Sequence, residues 1–175
     1  MKNDYRKGIP TLQEAKILLQ EAGNLNPGPW IKHSVYAGNA AKIIAENTSG
    51  LCPDVALVLG MLHDIGRRVG ITDMRHILDG YIFAKEKGFH HVARVCITHS
   101  FDYKNIKSAL GKWDCTKEEY NFIKQYLENI EYDDYDRLIQ LCDALALPNG
   151  FCLIEKRTVE DRKSTRLNSS HLYDL

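Results

Sequence analysis

The sequence has little of several features that would assign it to a partner class. Its 23 basic and 23 acidic residues give a formal net charge of zero, so no basic excess indicates a nucleic acid or an anionic membrane as a partner. No apolar run reaches the roughly 18 residues that a membrane-spanning helix needs. The N-terminal residues lack the apolar core of a signal peptide. We therefore expect a cytoplasmic protein that binds neither a membrane nor a nucleic acid.

The sequence also lacks any paired cysteine motif. The five cysteines form no Cys-x-x-Cys pair: Cys52, Cys96, Cys115, Cys142 and Cys152. An odd, scattered set of this kind is typical of reduced thiols in a cytosolic protein rather than of a disulfide framework.

The length of 175 residues predicts one domain with its own core. We expect this domain to occupy residues 1–161, with its centre at about 28–147. Residues 162–175 are polar and aperiodic, and they resemble translated adapter sequence. We expect this tail to be non-native or disordered, and we leave its His171 out of the functional interpretation.

The spacing of apolar residues and the helix-capping signals predict an all-α fold, a single helical bundle. Thr11 with Glu14 and Thr116 with Glu119 form capping boxes that begin two of the helices. We predict helices over residues 11–22, 30–47, 53–65, 74–87, 91–99, 116–130 and about 133–148. The connections at 67–73 and 101–115 are loops, and the longer one is a candidate lid. Residues 150–161 carry no clear pattern.

The pair His63-Asp64 is the most informative feature of the chain. It closes an apolar helical run, and its imidazole and carboxylate can bind one cation with a nitrogen and a hard oxygen. Such mixed sites suit Fe, Mn, Ni, Co or Zn better than Ca. Two residues do not hold a catalytic metal, so other ligands must come from elsewhere. His33 and Asp143 both lie on apolar helical faces and are the available candidates.

A purely structural role is hardest to find for the carboxylate of Asp143. It shares a helical face with apolar residues, and an isolated buried charge is unfavourable unless it has a partner or a metal. Three further aspartates begin the same helix. We interpret Asp133, Asp134 and Asp136 as a solvated capping cluster rather than as a second metal site.

With these residues the chain resembles the HD-domain superfamily of metal-dependent phosphohydrolases, in its HDIG subgroup. The pattern of that family is a His, then a His-Asp pair, then a distant Asp, which here are His33, His63-Asp64 and Asp143. The segments 30–35 and 62–67 resemble its first metal helix and its central motif. The resemblance implies an all-α bundle with a metal site at its centre.

Two further histidines extend the resemblance. His76 lies in a segment that resembles the family's His-x-x-x-Gly, and His99 lies in one that resembles the Ile-x-x-His of members with two metals. The resemblance then implies a second ion on Asp64, His76 and His99, beside the first on His33, His63, Asp64 and Asp143. The alternatives are that His76 simply lies near a helix start and that His99 closes a helix end, where a cation favours the dipole.

The implied activity is hydrolysis of a phosphomonoester or phosphoanhydride in a small, nucleotide-like substrate, by water that one or two divalent ions activate (Mn, Fe, Ni, Co or Zn). Asp64 takes the bridging position, and Arg67 contacts the phosphate through its guanidinium. The alternative for Arg67 is a solvated loop charge. Two other functions stay open: a mixed-valent di-iron oxygenase with the same ligands, and a non-catalytic nucleotide-binding module. The sequence leaves the substrate, the metal and the oligomeric state open.

Overall fold

The computed structural model describes residues 6–109 and 111–155, so the tail predicted at 162–175 lies outside the described residues. Within them the chain forms seven helices: α1 (Leu12–Leu25), α2 (Trp30–Glu46), α3 (Pro53–Leu62), α4 (Arg75–Glu86), α5 (His90–Thr98), α6 (Lys117–Asn129) and α7 (Asp134–Leu145). The predicted all-α class is confirmed. None of the helices in this part of the chain combines the length and the apolar character needed to cross a membrane.

The helix starts follow from local capping chemistry. Thr11 and Thr116 both complete capping boxes, each accepting the backbone N–H three residues later at 3.2 Å. The Asp133 carboxylate caps α7 by accepting the backbone N–H groups of Tyr135 and Asp136. Pro53 occupies the first turn of α3, where its missing N–H has no helical partner to lose. These contacts lie within a few residues, which is why sequence predicts them.

One predicted helix is shorter than expected. The helix predicted over 53–65 ends at Leu62, and a separate 3-10 helix (Ile65–Val69) follows it. This tighter segment takes up the first three residues of the loop expected at 67–73. Its close contact with α4, described below, is a tertiary effect that local sequence does not encode.

The last predicted helix also ends early. α7 stops at Leu145, and a short antiparallel hairpin follows, with β1 (Ala146–Leu147) paired to β2 (Gly150–Phe151). Gly150 has a φ of 144°, a backbone conformation that glycine adopts readily. Together with the preceding Pro148 it forms a turn rather than a last helical turn.

The main core lies between α1, α2, α3, α5 and α7, and its tightest crossing is between α2 and α3. A Cβ added at Gly60 would lie 2.6 Å from the Cα of Gly38, so no larger residue fits without moving a backbone. Because α2 carries His33 and α3 leads into His63, this close crossing brings the first two predicted ligands together.

A second apolar cluster attaches α6 and the 101–115 connection to α4. Phe101 is 0% exposed and Ile106 is 5% exposed, and Trp113 packs against the same cluster. The described part of the connection is therefore fastened to the core at these three side chains. Movement of this segment as a lid stays a prediction.

Candidate metal centre

Four histidines and two aspartates from separate parts of the bundle meet near its centre. They are supplied by α2, the residues just after α3, the start of α4, the end of α5 and the end of α7. The structure thus brings together all six residues singled out from the sequence: His33, His63, Asp64, His76, His99 and Asp143. The first five are at most 8% exposed, whereas the Asp143 side chain is 26% exposed.

The first group lies around Asp143. Its Oδ1 is 2.8 Å from Nε2 of His33 and 3.4 Å from Nε2 of His63. The two imidazole nitrogens are 3.3 Å apart, and Oδ2 of Asp64 lies 3.9 Å from Nε2 of His63. His33, His63 and Asp64 have ligand atoms close enough to hold one metal ion.

The second group lies around the other oxygen of Asp64. Oδ1 of Asp64 is 3.2 Å from Nε2 of His76 and 3.6 Å from Nε2 of His99. The two imidazole nitrogens are 3.4 Å apart, and the three residues could also hold one metal ion. Asp64 is common to both groups, with one oxygen turned toward each, as a bridging residue requires.

All four rings are oriented by the same kind of contact. In each, Nδ1 lies against a backbone carbonyl oxygen, which can only accept a hydrogen bond, so Nδ1 carries the proton. In the neutral ring, Nε2 then presents a lone pair to the centre, the arrangement usual for metal-binding histidines. The four contacts are His33 to Ala146 at 3.1 Å, His63 to Gly60 at 2.7 Å, His76 to Asp73 at 2.5 Å and His99 to Val95 at 2.9 Å.

The charge states follow from burial and from neighbouring charges. Burial opposes ionisation of Asp64, but Arg67 and His63 outweigh it and hold the pKa of that carboxyl well below its usual range. Burial lowers the pKa of His99 to about 3 and also lowers the pKa of His76. The second group at neutral pH is thus one carboxylate facing two neutral rings.

In the first group, the two carboxylates act on the pKa of a histidine. Burial opposes protonation of His63, but Asp64 and Asp143 outweigh it and raise the pKa of that ring. Burial opposes ionisation of Asp143, but the rings of His33 and His63, whose Nε2 atoms face its Oδ1, outweigh it and hold the pKa of that carboxyl well below its usual value.

Oδ1 of Asp64 tests whether these residues suit a metal. It is buried, and no described residue donates a hydrogen bond to it. A buried carboxylate oxygen without a donor, facing two imidazole lone pairs, is unfavourable unless a cation is bound between them. The donor set therefore fits a divalent ion, and nitrogen with carboxylate oxygen suits the first-row transition metals.

Arg67 contacts the shared carboxylate. Its Nε donates to Oδ2 of Asp64 at 2.7 Å, and its guanidinium lies 3.5 Å from Nε2 of His76. Asn26 donates to the Arg67 carbonyl at 2.6 Å and holds the backbone there. Arg67 is thus paired with a buried carboxylate rather than a free, solvated loop charge; contact with a phosphate stays a prediction.

Gly66 allows the 3-10 helix to lie directly against α4. A Cβ at this position would overlap the carbonyl oxygen of His76 and the backbone of Gly80. Because only glycine fits, Asp64 on one segment and His76 on the other come within reach of each other. Gly66 belongs to the His63-Asp64-Ile65-Gly66 segment, but its close contact with α4 follows from tertiary packing and not from local sequence.

Asp136 corrects the expectation of a solvated acidic cluster. Its residue is 0% exposed, and its carboxylate accepts hydrogen bonds from Nε of Arg94 at 2.9 and 3.1 Å and from the Thr98 hydroxyl at 2.7 Å. The capping part of the expectation is confirmed, since Asp133 caps α7 and Asp136 completes its capping box by accepting the N–H of Asp133 at 2.9 Å; Asp134 is exposed. Local sequence gave no signal for Asp136 because its partners lie on α5, some forty residues away.

Sequence reasoning also missed Ser100. Its hydroxyl oxygen is 3.0 Å from Nε2 of His99, on the side of the ring that faces the second group. Its position next to His99 was the only available signal, and adjacency in sequence does not tell which way a hydroxyl points after a helix end.

Comparison with known proteins agrees with this architecture. The sequence model of the family described as HD domain matches residues 30–147, more than half of the chain and all six residues of the candidate centre. Searches of curated proteins and of solved structures found no match.

Proposed function

Because the chain belongs to the HD domain family, whose members are largely metal-dependent phosphohydrolases, we propose that it hydrolyses a phosphomonoester or phosphoanhydride bond, as an HDIG-type enzyme. The observation that carries the proposal is the pair of buried groups that share Asp64, whose Oδ1 has no donor among the described residues. A purely structural cluster would not leave that oxygen facing two imidazole nitrogens.

We assign two divalent ions to the centre. One is held by His33, His63, Asp64 and Asp143, and the other by Asp64, His76 and His99. A divalent ion, when bound, lowers the pKa of a coordinated water from about 15.7 to roughly 7 and so supplies hydroxide near neutral pH. The chemistry of the donors allows Mn, Fe, Ni, Co or Zn.

Arg67 is the residue that we propose binds the phosphate. Its Nε is held by Asp64, which orients the planar guanidinium, and 31% of the side chain is exposed. The other N–H donors of a guanidinium match the oxygens of a phosphate in a fixed fork. Asp64 itself stays ionised, so it serves as a ligand and not as a proton donor.

The substrate that we propose is a small phosphorylated molecule of nucleotide-like chemistry. The support is the resemblance to HD-type hydrolases, together with the place of Arg67 beside both groups.

A mixed-valent di-iron oxygenase is the second candidate. The observation that favours it is the shared carboxylate, since two nitrogen-rich groups joined by Asp64 also suit a pair of iron ions. Oxygen uptake by the iron-loaded protein in the presence of a polyol or phosphonate would support it. Phosphate release with Mn²⁺ and no oxygen uptake with iron would exclude it.

The test of the main proposal is phosphate release from a panel of nucleotides and simple phosphate esters, after loading with Mn²⁺, Co²⁺, Ni²⁺ or Fe²⁺. We expect turnover with at least one ion, and its loss in His63→Ala and Asp64→Asn. His90→Ala is the matched control, because it removes an exposed imidazole at the start of α5. A fully loaded wild type that releases no phosphate, or an active Asp64→Asn, would refute the proposal.

A further inference from the structure

The end of α5 that carries His99 is not followed by a glycine. The residues that follow are Ser100 and Phe101, whereas α4, which ends at Glu86, is followed by Gly88 with a φ of 76°. The last carbonyls of a helix have no partner within the helix and must be satisfied from outside. At α5 the carbonyl of Thr98 accepts the backbone N–H of Phe101 at 3.1 Å, and the carbonyl of Phe101 accepts the hydroxyl of Tyr132, before α7, at 2.9 Å. Further donors come from α7 itself.

Gln140 on α7 supplies two of these hydrogen bonds. Its Nε2 donates to the carbonyl of Thr98, directly before His99, at 2.9 Å and to the carbonyl of Phe101, two residues after it, at 2.7 Å. Arg137 donates to its Oε1 at 3.0 Å. An arginine can only donate, so this contact determines which end of the amide faces α5. Gln140 is 7% exposed.

The same face of α7 carries two further residues of the site region. Asp136, one turn earlier, accepts the hydroxyl of Thr98, so Thr98 is held by both its side chain and its carbonyl. Asp143, one turn later, belongs to the first group. α7 therefore contributes a carboxylate to one group and, through Gln140, holds the backbone on both sides of a histidine in the other.

We propose that Gln140 is a positioning residue that holds His99 at the second metal group. Gln140 acts through the backbone of residues 98–101 and so sets the position of the His99 ring. Nδ1 of that ring is hydrogen-bonded to the Val95 carbonyl within α5. The inference rests on the proposed function and concerns only the ion held by Asp64, His76 and His99. The ion on the Asp143 side does not depend on this contact.

The decisive variant is Gln140→Glu, which keeps the length of the side chain and the contact with Arg137 but removes both N–H donors. Titration of the metal-free full chain with Mn²⁺ at pH 8, followed by electron paramagnetic resonance, measures both ions. We expect one ion to bind roughly tenfold more weakly or worse, with the other unchanged. Gln140→Met, which is of similar length and uncharged, should weaken the binding of the same ion. This variant keeps the test valid if Gln140→Glu does not fold.

Two controls separate positioning from general damage to the fold. Gln125→Glu makes the same change at an exposed site on α6 and should leave both ions unaffected. Thr116→Ala removes the cap of α6 and should lower the melting temperature without a selective change in metal affinity. In the metal-free protein, the ring signals of His99 in nuclear magnetic resonance spectra should shift in Gln140→Glu while those of His33 stay in place.

The outcomes distinguish this inference from the proposed function. If the wild type binds two ions and Gln140→Glu binds both with unchanged affinity, Gln140 has no positioning role and the proposed function stands. Equal weakening of both ions would also overturn the inference, because it would show a general loss of structure. A wild type that binds no Mn²⁺ would refute the proposed function and this inference with it.

Discussion

Removal of the buried carboxylate of Asp136 should destabilise the protein far more than removal of its exposed neighbour. In Asp136→Ala, Arg94 loses its bidentate partner and Thr98 loses the acceptor of its hydroxyl. The Arg94 side chain is 23% exposed and the Asp136 side chain is 0% exposed. The variant therefore leaves a largely buried guanidinium without its main charge partner.

The magnitude follows from this burial. Breaking a buried ion pair by removing one partner costs about 3–5 kcal/mol, and the partial exposure of Arg94 favours the lower end, about 3 kcal/mol. For a domain of this size, 1 kcal/mol corresponds to roughly 2–4 °C in melting temperature. We therefore expect a decrease of about 6–12 °C.

The assay is thermal and urea denaturation of the metal-free protein, followed by circular dichroism at the helical band. Asp134→Ala is the matched control, since it removes the adjacent, exposed carboxylate of the same helical turn and should change the stability by no more than about 0.5 kcal/mol. Equal effects of the two variants would refute the assignment of Asp136 as a buried structural residue.

Three further predictions concern the centre itself. Mn²⁺ or Co²⁺ should raise the melting temperature of the wild type, because an ion at one hundred times its dissociation constant adds about 2.7 kcal/mol to the free energy of unfolding. A chelator or His63→Ala should remove the effect. In metal-free protein, the pKa of His99 is lowered from 6.5 to about 3, so the unfolded state takes up the proton first as the pH falls. Stability should then decrease from about pH 6.5 downward, by up to 1.4 kcal/mol per pH unit for this ring, and His99→Ala should flatten the profile between pH 6.5 and 4; an unchanged slope would contradict the assignment. Gly66→Ala should destabilise the protein by about 1–3 kcal/mol and weaken metal binding, because the added methyl separates the 3-10 helix from α4; calorimetry showing wild-type stability would contradict it.

Local chemistry explains which parts of the fold the sequence predicts. Thr11, Thr116 and Asp133 begin helices through contacts within three residues, so their positions can be read without a structure. His33 and Asp143 could be recognised as unusual because each lies on an apolar face, and the family pattern then joined them to His63-Asp64. The grouping in space of all six residues followed from these two signals together.

The predictions that failed depend on contacts between distant segments. Asp136 was expected to be solvated because its partners Arg94 and Thr98 lie on another helix. The 3-10 helix after Leu62 depends on the approach of Gly66 to the backbone of Gly80. No local pattern encodes either contact, since both exist only after the helices have packed.

The most direct test of the account is the metal content per chain, determined by elemental analysis of protein purified anaerobically without a chelator or a metal-affinity tag. The account predicts two divalent ions per chain in the wild type, one in His99→Ala and none in Asp64→Ala, because Asp64 is common to both groups. A wild type that contains no transition metal, even after reconstitution, would contradict it.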